Sequence, residues 1–266
     1  RFEFEVSQAR EAVIKRMQEY EQVLRGGVGL FRGHEGLSRE AWHRYVANLE
    51  IDTYWPGIQG IGYSTMIPAA QRDALVQRIR REGFPDFTIR PEGVRDPYSS
   101  IVYLEPLDWR NKRALGYDMF SEPTRQAAMI QARDSGKPAV SGKVTLVQET
   151  DKDVQAGFLM YLPHYREGLP LGDEAQRRAA LLGFVYSPFR ATDLMQGILG
   201  GRTPLIDFKI FDEDSRSEGN LLYASPSLHR VENSAPRFES EERIQLPGRL
   251  WAVRFSSSEQ LERDMQ

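Results

Sequence analysis

A chain of 266 residues, 40% of them hydrophobic and 27% charged, can bury a sizeable core, which excludes disorder and fits one large domain or two small ones. With 35 basic residues against 38 acidic ones, the net charge of -3 gives no positive field to draw the chain to nucleic acid phosphates. Cysteine is absent, which excludes disulfides, thiolate metal sites and cysteine nucleophiles.

From Phe4 onward, Val6, Ala9, Val13, Met17, Tyr20 and Leu24 recur mostly at steps of three and four, with Gln, Arg, Lys and Glu between them. This spacing predicts a helix of about seven turns. Its narrow apolar stripe resembles a coiled-coil seam, so packing on a domain or a second copy is expected, and Gly26 and Gly27 are expected to weaken or end it. Ser38 is placed to cap a second helix over Arg39 to Leu49, whose apolar face is Trp42, Tyr45, Val46 and Leu49; His43 reads as a plain helix residue.

After Pro56 a strand is expected over Ile58 to Met66, then a helix opened by Pro68 and stopped by Gly83 after Arg81. Further strands are expected at Phe87 to Arg90, Ser100 to Leu104, Val144 to Gln148 and Gly157 to Leu162, with a helix from Pro123 to Arg133 ended by Gly136. Glu167 to Gly172 reads as a connection between units. A second series then follows: a strand at Leu181 to Tyr186, a helix at Ala191 to Leu199 capped by Gly200 and Gly201, and strands at Leu205 to Phe211, Leu221 to Ala224, Arg243 to Leu246 and Leu250 to Phe255. Pro247 and Gly248 form a hairpin turn between the last two.

Motifs for chemistry are sparse. There is no Gly-x-Ser-x-Gly elbow and no phosphate-cradling glycine loop; Gly57, Gly60 and Gly62 read as a turn. The histidines His34, His43, His164 and His229 lack ligand spacing, so no metal and no cofactor are expected. Glu105, Asp108, Asp118 and Glu122 lie close enough in sequence for two to meet in a cleft, the arrangement an acid-base hydrolase needs. Apolar runs such as Ala179 to Val185 fall far short of the roughly 20 residues that span a bilayer, and no signal peptide opens the chain. Both ends fall inside helical patterns, as in a piece of a longer chain.

The most informative stretch begins Arg95-Asp-Pro-Tyr-Ser-Ser-Ile-Val-Tyr-Leu-Glu-Pro-Leu. Asn111 follows, then Leu115-Gly-Tyr-Asp-Met-Phe-Ser-Glu, Ala132-Arg-Asp-Ser-Gly-Lys-Pro and Pro163-His-Tyr. In order and spacing these elements resemble the CHASE domain, an extracellular sensory module of histidine kinases, nucleotide cyclases, cyclic-di-GMP enzymes and plant cytokinin receptors. The resemblance implies an α+β fold, a long N-terminal helix followed by two PAS-like units with antiparallel sheets. It divides the chain into residues 1–57, a membrane-distal ligand-binding unit at 58–166 and a membrane-proximal unit at 167–266.

It also implies a non-enzymatic periplasmic or extracellular sensor, with membrane helices just beyond Arg1 and Gln266, a homodimeric arrangement and a cytoplasmic kinase, cyclase or phosphodiesterase. In the cytokinin receptors an aspartate in the segment matching Leu115 to Phe120 accepts hydrogen bonds from adenine, and the matching position is Asp118. An ionised carboxylate accepts only, so it selects ligands that carry N–H or O–H donors. The other uses for this carboxylate are capping the helix near Ser121 or pairing with an arginine.

By the same matching, Val140 lines the pocket through its backbone, Thr145 or Thr150 supplies a hydroxyl, and Leu162 and Gly183 form walls. Strand alternation adds Tyr103, Met119 and Met160 as apolar wall, or else as plain core. Leu162 and the Val144-Thr145 pair depart from the plant pattern, so the expected ligand is adenine-like or another small amphiphile. A module that reads a protein or peptide is the alternative.

Overall fold

The computed structural model describes residues 1–199, 205–226 and 235–266. Helix α1 (Phe2–Gly33) does not end at Gly26 and Gly27 as the sequence suggested. A side chain at either position would crowd what packs against it: a Cβ on Gly26 would sit 2.6 Å from Tyr45 Oη in the next helix, and one on Gly27 3.0 Å from both the Trp42 ring of that helix and Val185 of the first sheet. These glycines permit a close helix crossing, and tertiary contact outweighs their poor helix propensity. Ser38 caps α2 (Arg39–Leu49) as expected, its hydroxyl accepting from Ala41 N at 3.1 Å. Trp42 is fully buried and donates to Ile61 O at 3.1 Å.

After the short α3 (Ile51–Tyr54) come strand β1 (Ile61–Ile67), helix α4 (Arg72–Arg81), strand β2 (Tyr98–Glu105), the single turn α5 (Trp109–Lys112) and helix α6 (Pro123–Ser135). Glu122 caps α6 through Thr124 N and Arg125 N, and Gly136 ends it at φ +71°. Strands β3 (Ala139–Val140) and β4 (Gly157–Tyr165), helix α7 (Glu174–Ala180) and strand β5 (Leu181–Arg190) follow. The chain then forms α8 (Ala191–Leu199), β6 (Ile206–Asp212), β7 (Leu221–Ala224), β8 (Glu239–Leu246), β9 (Arg249–Ser257) and α9 (Glu259–Arg263). Gly200, Gly201 and His229 lie outside the described residues.

The described strands form two antiparallel sheets, ordered β2-β1-β5-β4-β3 and β7-β6-β9-β8. Two expected strands are corrected. Phe87 to Arg90 makes only an isolated bridge, Arg90 with Tyr117, and Val144 to Gln148 only one, Val144 with Gly157, because neither segment runs beside a partner long enough to build a ladder. The placement of β5 is corrected as well: expected to open the second series, it pairs with β1 and β4 at the centre of the first sheet. The hairpin at Pro247 and Gly248 is as expected, with Leu246 paired to Arg249.

Helix α1, about 48 Å long at 1.5 Å per residue, reaches both sheets. Near its start Phe2 stacks on Phe238, and near its end Phe31 stacks on Tyr63 at 4.1 Å. Tyr63 Oη in turn lies 2.8 Å from His164 Nδ1, with Phe31 beside the imidazole. Burial lowers the His164 pKa below its ordinary 6.5; the Arg32 charge adds to this and Glu167 opposes it. The folded state therefore binds this proton less readily than the unfolded chain. Stability is fully present above pH 6.5 and declines as pH falls below it toward the folded pKa. A melting-temperature profile from pH 8 to pH 5 is expected to drop in that window, and to drop less in His164→Gln; equal drops in both proteins would place the titration elsewhere.

Candidate functional site

The Leu115 to Phe120 segment is fastened on both sides. Gly116 N donates to Ile101 O at 2.9 Å, Arg90 N to Gly116 O at 3.0 Å, and Asp118 N to Arg90 O at 2.7 Å. Gly116 adopts φ +87°, where a Cβ would lie 2.1 Å from Thr88 O, so only glycine fits. This clamp carries Asp118 into the interior, with 1% of its side chain exposed.

There the carboxylate is taken up by the chain itself. Its Oδ1 accepts from Ser99 Oγ at 2.6 Å and Ser99 N at 3.2 Å, and its Oδ2 from Arg95 Nε at 2.8 Å. Arg95 also stacks on Tyr98 and donates to Pro91 O. Of the uses foreseen for Asp118, pairing with an arginine is the one observed, and its side chain makes no capping bond to the turn at Met119–Ser121.

The eight residues expected at the site do not converge. The first sheet has two faces. Tyr63 and Val185 turn toward α1, and Tyr103, Val140, Met160 and Leu162 pack in that same cluster. A Cβ on Gly183 would meet Tyr63 Oη at 2.7 Å, which places it on this side too. Met119 belongs to the opposite face. Thr145 is exposed, and the Thr150 hydroxyl is used in a turn with Lys152.

Nor do the four neighbouring carboxylates meet. Glu105 accepts from Leu107 N and contacts His43 at 3.0 Å, Asp108 caps α5, and Glu122 caps α6. Burial acts to raise the Glu122 pKa, but the Thr124 and Arg125 amides and the Arg125 guanidinium hold it below the ordinary carboxylate range. A surface cleft of about 270 Å³ among α2, α3 and Pro106, lined by Val46, Ile51 and Glu105 among others, contains none of the eight residues.

The face away from α1 presents a different group. Met119, Tyr161, Phe184 and Tyr186 pack there with Ile101 and Leu159, beneath the Ala128, Met129 and Ala132 stripe of α6. The rings of Tyr161 and Tyr186 stack at 6.1 Å, and Tyr161 Oη lies 3.3 Å from Met119 Sδ. Gly62 makes room for the Tyr186 ring, since a Cβ there would stand 2.8 Å from it.

Arg125, 5% exposed, occupies the same stripe one turn earlier. It donates to Glu122 at 3.0 Å and to Thr145 O at 3.0 Å, so it ties α6 to the segment that carries Val144 and Leu146 over this face. Burial raises the pKa of both Tyr161 and Tyr186, against the lowering effect of the Arg125 charge, so both phenols stay protonated. Tyr186 Oη, Ser64 Oγ and Arg125 Nε are buried and have no hydrogen-bond partner among the described residues.

Sequence reasoning missed Ser64, Arg95, Arg125, Tyr161 and Tyr186. One signal was legible: Arg125 stands at i on a stripe continued by Ala128, Met129 and Ala132 at i+3, i+4 and i+7, a position that buries its side chain. The aromatic residues had no such signal, because β4 and β5 are buried on both faces and show no alternation.

Among solved structures the chain is similar to an extracellular ligand binding receptor from Desulfohalobium retbaense, at 10% identity and a TM-score of 0.58, covering 97% of this chain. The chain spans 40% of the length of that receptor chain. It is also similar to the periplasmic sensory domain of a Campylobacter jejuni chemoreceptor, at 10% identity and a TM-score of 0.54, covering 97% of this chain and 93% of the other. At such identities the likeness concerns the fold. No curated protein matches. The family model for the CHASE domain matches residues 35–223, well over half of the sequence, and the chain belongs to the CHASE domain family.

Proposed function

We propose that the chain is the extracytoplasmic sensor of a transmembrane receptor, and that it binds a small molecule between the first sheet and α6. The observation that carries this reading is a group of buried polar atoms on an otherwise apolar face that have no partner among the described residues: Tyr186 Oη, Ser64 Oγ and Arg125 Nε. Each such group costs free energy unless something satisfies it, and such costs are tolerated where a function requires them. The ligand-binding unit is residues 58–166 completed by β5, and the chain from α8 onward is the membrane-proximal unit.

The route between the units starts beside the same face. Val140 N donates to Pro247 O at 2.9 Å, Lys143 N to Asp212 Oδ2 at 2.9 Å, and Asp212 holds Arg249 through two bonds of 2.6 and 2.8 Å. The segment that Arg125 grips at Thr145 is therefore also bonded to the second sheet. A ligand that favours one arrangement of this segment shifts the population of the other unit, and in the whole receptor that shift reaches a dimer of membrane helices and a cytoplasmic kinase or cyclase.

A thermal-shift screen of small metabolites, followed by hydrogen exchange on any stabilised complex, tests this reading. Binding is expected to raise the melting temperature and to slow exchange both at residues 141–146 and at 247–252. Protection confined to the first sheet would remove the transmission route. Silence from every compound class would remove the small-molecule reading and favour a protein partner.

A further inference from the structure

We infer that the ligand of this site is a small organic acid with an apolar body, bound through its carboxylate, an inference that rests on the small-molecule reading above. The donors and acceptors already in use on either side of this segment select that class of ligand. The residue expected to accept from a ligand, Asp118, already receives three hydrogen bonds from Arg95 and Ser99. About one of its roughly four acceptor sites is left, too few to anchor a ligand rich in N–H donors.

What the α6-covered face offers instead are donors. Arg125 Nε can only donate, and the Tyr186 and Ser64 hydroxyls each bring an O–H; all three are buried and unpartnered. Ser64 and Tyr186 project from the same face of adjacent strands, since Ser64 pairs with Phe184 and Gly62 with Tyr186. Arg125 reaches the same region from α6, on the stripe continued by Ala128, Met129 and Ala132, and donates to Thr145 O at 3.0 Å.

The unpartnered acceptor of the neighbouring segment, Glu149 Oε2, faces Arg110 Nη1 at 3.9 Å, and the other oxygen of Glu149 is bound by Arg190 at 2.7 Å, so that carboxylate is already neutralised. An acceptor-only carboxylate matches three donors on one buried face, and Met119, Phe184 and the stacked tyrosines match an aromatic or aliphatic body.

The test is a set of matched probes on the 266-residue chain: phenylacetate against phenylacetamide and phenethylamine, indole-3-acetate against indole-3-acetamide, and adenine. Titration calorimetry and melting temperature are read on the wild type and on Tyr186→Phe. The acids are expected to bind and to raise the melting temperature while the amides, the amine and adenine do not. Tyr186→Phe is expected to weaken acid binding about tenfold or more, the value of one hydrogen bond to a charged group. Without ligand, the same variant is expected to melt at or above the wild-type temperature, because it loses a buried hydroxyl that had no partner; this separates a lost contact from lost folding.

Binding of amides, the amine or adenine in preference to the acids would overturn the acid assignment and leave the small-molecule sensor standing. Acid binding unchanged in Tyr186→Phe would overturn the site. No binding by any probe sinks this proposal, and the broader metabolite screen then decides whether the small-molecule reading falls with it.

Discussion

Asp118→Ala is expected to lower the unfolding free energy by about 3 to 5 kcal/mol, the range for removing one partner of a buried, hydrogen-bonded ion pair. The side chain is 1% exposed, and three donors converge on it. Removing it strands the Ser99 amide and hydroxyl and leaves the Arg95 charge, 23% exposed, beside an apolar interior. Ser99 Oγ also accepts from Phe120 N at 3.1 Å, so the loss spreads along the Leu115 to Phe120 segment. Asp118→Asn keeps an acceptor for Ser99 but not the charge for Arg95, and is expected to cost less than the alanine variant. Guanidinium denaturation with an unchanged slope measures both. A loss below about 1 kcal/mol would show that the carboxylate is not structural, and would return it to the role of ligand anchor implied by the cytokinin receptors.

Gly116→Ala is the second large effect, expected at about 3 kcal/mol or more. A residue with a side chain at φ +87° is strained by roughly 1 to 3 kcal/mol. Here the added Cβ would also stand 2.1 Å from the Thr88 carbonyl oxygen, so backbone must move. Moving it loosens the bonds from Gly116 N to Ile101 O and from Arg90 N to Gly116 O, each worth about 1 kcal/mol. Gly168 provides the control: its φ is +80°, but among the described residues nothing stands within 4 Å of its would-be Cβ. Gly168→Ala is expected to show the strain alone, so the difference between the two variants isolates the collision. Equal losses would mean that the clamp on Gly116 yields without cost.

The helices and their caps were readable wherever the governing interaction is local. Ser38 caps α2 by accepting from a residue three positions on, Gly136 closes α6 in the left-handed conformation, and Pro247-Gly248 turns a hairpin. The glycines of α1 were misread for the opposite reason: Gly26 and Gly27 answer to Tyr45, Trp42 and Val185, far away in sequence. The candidate site was half readable. Its motif pointed to the segment that holds Asp118 and Met119, but strands buried on both faces carry no alternation to separate Tyr103, Val140 and Leu162 on one side from Tyr161 and Tyr186 on the other.

The sequence by itself determined the family, the long N-terminal helix, the α+β class and the position of the segment that enters the core, because motif order, helical period and capping chemistry are properties of short stretches. Only the tertiary structure decided that β5 completes the first sheet, that the Asp118 carboxylate is held by Arg95 and Ser99, and that Arg125, Ser64 and Tyr186 share one buried face. Strand partners, and the donors that satisfy or leave unsatisfied a buried polar group, are chosen by packing between residues distant in the chain, and no local pattern records that choice.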